Sequence, residues 1–70
     1  MSVAEEFPPF VTVLKSREKF YAAIMEWDGQ QERYGLSRNR PAGHPHRIST
    51  DAKIDAQSMA QKLGVEYRDA

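Results

Sequence analysis

The sequence contains no cysteine, which removes disulfide bonds, thiolate metal sites and cysteine nucleophiles together. It has two histidines, too few to close a structural zinc site on their own. No apolar run approaches the ~20 residues needed to span a bilayer. The opening MSVAEEF is acidic and lacks the basic and apolar regions of a secretory signal. Net charge is missing too. Ten basic and ten acidic side chains cancel, so nothing draws the whole chain toward nucleic acid or an anionic membrane. The four glycines, at 29, 35, 43 and 64, are scattered rather than gathered into a phosphate-binding loop. Ser16, Ser37, Ser49 and Ser58 have no histidine and acid arranged near them in sequence. These absences lead to the expectation of a cytoplasmic, non-enzymatic chain with no cofactor, no catalytic residue, no metal site and no membrane role.

Seventy residues are expected to form a single small domain, with 1–7 as a loosely ordered lead-in and 65–70 as a tail or short strand. A chain of this length buries only about 60% of the surface it exposes when unfolded. Without disulfides or metal, the remaining compensation is association with a second copy or with a larger partner.

What is present is a stripe of large apolar residues. Steps of three and four from Phe10 reach Val13, Arg17, Phe20, Ile24, Trp27, Gln31 and Tyr34, with Leu14, Tyr21 and Met25 on one flank. That spacing predicts an amphipathic helix over about 9–34, opened by Pro8-Pro9 and stopped by Gly35. Asp28-Gly29 is its soft spot. The competing reading makes FVTVL a strand, because it is rich in β-branched residues, and has Ser16 cap a shorter helix.

Residues 35–48 are expected to be a loop, since two prolines, a glycine and little apolar surface fall between Leu36 and Arg47. Ser49-Thr50-Asp51 is a helix-start signal. The second helix should run over 50–63, burying Ala52, Ala56, Met59, Ala60 and Leu63, with Gly64 at its C-cap. Met59 to Val65, MAQKLGV, is similar to the end of the first helix and the turn of the helix-turn-helix DNA readers. Only EYRDA follows, which is too short for a recognition helix, so a glycine-capped helix is expected. The fold expectation is mostly α, a helical hairpin of long helix, basic loop and shorter helix. The alternative is a small α+β fold with strands near 10–14 and 65–68.

Two candidate surfaces follow. A first helix of roughly 36 Å cannot be covered by a second of about 20 Å, which would leave Phe20, Tyr21, Ile24 and Trp27 as an interface for a protein partner or a homo-oligomer. Arg17 and Gln31 on the seam argue against a plain coiled coil. The loop is the other surface. From Arg33 to Arg47 there are four arginines and no acid, and guanidinium groups bind phosphates and carboxylates through paired donors. Arg38, Arg40, His44, His46 and Arg47 are therefore expected to bind an anion or an acidic partner. The function expected is a small regulator, inhibitor or assembly subunit, with a binder of a nucleotide or nucleic acid as the alternative.

Overall fold

The computed structural model describes residues 6–69. In chain order it consists of strand β1 (Phe10–Ser16), strand β2 (Lys19–Asp28), strand β3 (Arg33–Leu36), helix α1 (Ser49–Leu63) and strand β4 (Glu66–Tyr67). The sheet order is β3-β2-β1-β4. β1 and β3 run antiparallel to β2, while β4 lies parallel to β1. The α+β alternative describes this architecture, and the helical hairpin does not.

The long first helix expected over 9–34 is three strands instead. Phe10, Val11, Thr12 and Val13, then Phe20 and Tyr21, are β-branched or aromatic, and such side chains fit a pleated surface better than a helix. Arg17 and Glu18 form a two-residue turn between β1 and β2, with Arg17 at φ 58°. At the far end of β2, Asp28 Oδ1 accepts the backbone N–H of Gln30 at 2.9 Å and of Gln31 at 3.3 Å, a side-chain-closed turn into β3. Gly35, expected to stop a helix, lies inside β3 opposite Glu26.

The loop expected over 35–48 gives Gly35 and Leu36 to β3, and its remainder stays beside β2. Ser37 donates its N–H to Ile24 O at 2.9 Å, and Gly43 donates to Ala22 O at 2.8 Å. His46 and Phe20 exchange backbone bonds in both directions, at 2.6 and 2.7 Å. Only the bend between these contacts stands free of the strand.

Helix α1 matches the expected second helix, starting one residue earlier at Ser49. Ala52, Ala56 and Ala60 are buried against the sheet, and Met59 is half-buried. Leu63, expected in that face, is 36% exposed, and Ile54 and Ile48 are both open to solvent. Gly64 adopts φ 69°, its N–H bonding Gln61 O at 3.3 Å while Val65 N–H bonds Ala60 O at 3.0 Å. The start of the helix departs from expectation: its N-cap is Ile48, and no side chain caps it. The chain beyond Gly64 enters β4, so the MAQKLGV turn leads into a strand.

The core between α1 and the sheet consists of Val11, Ala22, Ile24, Ala56 and Ala60, with Val13, Met59, Val65 and Tyr67 packed around it. Alternation along a strand sends neighbouring residues to opposite faces. It therefore assigns Val11, Val13, Phe20, Ala22 and Ile24 to the helix side. Phe10, Thr12, Leu14, Tyr21, Ala23, Met25, Trp27, Tyr34 and Leu36 belong to the other. Of the expected lead-in, residues 1–5 lie outside the described ones, but Phe7 is docked: its ring stacks on Trp27 with centroids 3.8 Å apart.

Candidate functional site

The face of the sheet opposite α1 is an apolar surface that no described element covers from end to end. Its rows are set by strand register. Leu14 pairs with Tyr21, Thr12 with Ala23 and Phe10 with Met25 across β1 and β2; Met25 with Leu36 and Trp27 with Tyr34 across β2 and β3. Thr12 and Ala23 at its centre are buried, at 5% and 0% exposure, beneath the larger residues around them. Leu14, Tyr21 and Met25 are half-buried, and Leu36 is 55% exposed.

One end of this face is already occupied. Trp27 is stacked by Phe7, Tyr34 meets Phe10 edge-on at 4.8 Å and Trp27 edge-on at 5.3 Å. The Tyr34 hydroxyl donates to Pro8 O at 2.9 Å, and the Arg68 guanidinium lies 4.4 Å from the Phe10 ring centroid. The segment before β1 is thus clipped over this corner. Leu14 and Tyr21 at the other end, and Met25 and Leu36 in the row beside the occupied corner, have no described aromatic partner.

Of the expected interface residues, the structure keeps two on this face and moves two off it. Tyr21 and Trp27 belong to it. Phe20 and Ile24 sit on the helix side, with Ile24 only 6% exposed in the core. Phe20 is half-buried beneath the Lys15 ammonium, 5.6 Å from the ring centroid. A four-residue step keeps one face of a strand and a three-residue step changes it, so the helical stripe is dealt out to both sides. Phe7, Phe10, Leu14, Met25, Tyr34 and Leu36 were not among the expected anchors. The signal that finds them is plain alternation, together with the two-residue turn that pairs residues whose numbers sum to 35.

The basic segment is divided as well. Arg38, Arg40 and Arg47 are exposed. Arg38 borders Trp27, Tyr34 and Leu36 in an open depression of about 800 Å³. Arg40 and His44 line a separate groove of about 600 Å³ against α1, whose floor is Ile24, Met59 and Leu63 and whose rim includes Lys62. His46 turns to the helix, its Nε2 2.5 Å from Asp55 Oδ2. That contact ties the segment to α1, so the five expected loop residues do not converge on one point. Ser37 Oγ is buried without a hydrogen-bond partner beside the bend that carries Arg38 and Arg40. Among the described residues no group of three or more histidines and acids is placed to hold a metal ion. No described helix is long and apolar enough to cross a membrane.

Comparison with protein-family models, with curated proteins and with solved structures found no match to this chain.

Proposed function

We propose that this chain is a non-enzymatic binding module that docks on another protein through the helix-free face of its sheet, with Leu14, Tyr21, Met25 and Leu36 as anchors. The observation that carries this is the placement of apolar bulk. The helix side of the sheet is packed mainly with alanine and valine, whereas most of the aromatic side chains lie on the side without a helix. A surface of that kind on a small chain is a recognition surface. Arg17, Lys19 and Arg38 stand at its margins and favour a partner with acidic groups around its apolar centre. Single-stranded nucleic acid is the weaker fit. A base needs an open ring to stack on, and the Trp27 ring carries Phe7 while the Phe10 ring carries Arg68. A chain without cysteine needs no oxidising surroundings, and the proposal takes the cytoplasm as its setting.

The test is selective loss of a purified complex. A protein captured by the chain should shift the amides of Leu14, Tyr21 and Met25 in NMR titration. Tyr21→Glu should remove the binding while leaving the far-UV spectrum unchanged, and Arg47→Ala should retain it. Binding that survives Tyr21→Glu overturns the reading. So does a concentration-dependent mass in sedimentation that Tyr21→Glu abolishes, because the occupant is then a second copy.

A second reading rests on the unpartnered Ser37 hydroxyl beside Arg38 and Arg40. That bend supplies donors for a phosphate-bearing ligand. Titration with inorganic phosphate and with nucleotides tests it, and unchanged amides over 37–43 remove it.

A further inference from the structure

The outer edge of β1 is used along only part of its length. β4 pairs with Phe10 and Val11 alone, and Arg68 N–H adds one bond to Val11 O at 2.9 Å. Because backbone groups alternate sides along a strand, those of Val13 and Lys15 point the same way as those of Val11, away from β2. Among the described residues they have no backbone partner. Unpaired edge groups are a template for another strand.

A groove of about 520 Å³ runs beside this edge, between β1 and the start of α1. Val13, Phe20 and Tyr67 give it an apolar floor, and Lys15 and Lys53 contribute the two cations of its lining. Asp69 shows what Lys53 accepts. It lies at the end of the groove, 3.5 Å from Lys53 Nζ, and receives the Tyr67 hydroxyl at 2.7 Å. A carboxylate on the chain that follows β4 is therefore already accommodated at one end.

We infer that the free edge of β1 over Val13–Ser16 is a strand-addition site for an extended acidic peptide segment. Such a segment would form main-chain bonds with Val13 and Lys15. On one side it would place alternate side chains over the groove, apolar ones on Val13 and Phe20 and carboxylates toward Lys15 and Lys53. At about 3.3 Å per residue, the free stretch takes roughly four residues of incoming strand. The site is separate from the helix-free face. Its backbone donors lie in the plane of the sheet rather than on either side.

The probe is a short capped peptide of Val-Thr-Glu-Thr repeats, which sets valine and glutamate in turn on one face of the strand, titrated into the isotope-labelled chain. Expected are amide shifts confined to Val13–Ser16 and the first turns of α1, and slowed hydrogen exchange at Val13 and Lys15. N-methylation of alternate peptide amides should abolish binding. Lys53→Glu should weaken it about five-fold, the scale of a surface ion pair, and Tyr21→Glu should leave it unchanged. The proposal is overturned if Val13 and Lys15 amides are already protected in the free chain, or if the peptide leaves them unshifted. It is equally overturned if the N-methylated peptide, or one with lysine for glutamate, binds as well. Protection that rises with protein concentration alone would assign the edge to a second copy and also overturn it.

Discussion

Tyr67 and Asp69 form a polar pair at the end of β4, beside Lys53 of the helix. The Tyr67 phenol is pushed up to about 12, first by loss of solvation, then by the bond it donates to Asp69 and by that carboxylate's charge. Asp69 is held below the usual carboxylate range by the same bond and by Lys53. The signs follow from which state keeps its proton. Between about 10, the ordinary phenol value, and about 12 the folded chain holds the Tyr67 proton and the unfolded chain has lost it. The Tyr67 contribution is therefore complete below that window and declines as pH rises through it. The Asp69 contribution has the opposite sense: it is present above the ordinary carboxylate value and is lost on acidification. Asp69→Asn should lower the Tyr67 titration only part of the way, since the loss of solvation remains. An NMR titration of the Tyr67 ring measures this, and an unmoved midpoint would refute the pairing. Phe7 is the other residue with a sharp prediction. An aromatic pair adds about 0.5–1.5 kcal/mol beyond its buried area, so Phe7→Ala should cost at least that in denaturant unfolding and shift Trp27 emission toward that of solvated indole.

Among the elements, α1 depends on smallness. Ala52, Ala56 and Ala60 recur every four residues at 0%, 0% and 4% exposure, and Ala56 and Ala60 share one core with Ala22 on the sheet. Ala56→Leu should destabilise by about 1–3 kcal/mol through overpacking, and an unchanged urea midpoint would count against so close an approach. The C-terminal turn depends on Gly64 at φ 69°. Gly64→Ala should cost about 1 kcal/mol, because a Cβ is disfavoured in that region. These features were legible in the sequence: one period, small residues on one side, a glycine just past the end. The strands were not, because two periods overlap in Phe10–Tyr34. Phe10, Val13, Phe20, Ile24, Trp27 and Tyr34 satisfy helical stepping, and the same stretch also alternates. The deciding information was the turn at Arg17-Glu18, which contains neither glycine nor asparagine and so gives no hairpin signal. The candidate site was legible by half for the same reason. Tyr21 and Trp27 are shared by both patterns, whereas Leu14, Met25 and Leu36 acquire their role only once registers are known.

For the molecule as a whole, apolar size and burial are out of step. Val11 is the only large side chain fully buried among the described residues, while Phe7, Phe10, Trp27 and Tyr34 cluster on the side without a helix. Stability should therefore be shared between two thin cores. Trp27→Ala should cost about as much as Val11→Ala, on the order of 2 kcal/mol each, and a negligible effect of Trp27→Ala in thermal or urea unfolding would show the second core to be ornamental.

β4 joins the sheet by two residues and runs parallel to β1, the strand nearest the other end of the chain. Tension applied at the two ends would load this pair in shear, so its few bonds share the force together instead of opening one after another. Once they give way, the outward backbone groups of Val11 are uncovered, and the bare margin of the sheet grows from Val13 and Lys15 to include Val11 as well. A pull on the tail would thus act as a lever on how much of that margin is on offer.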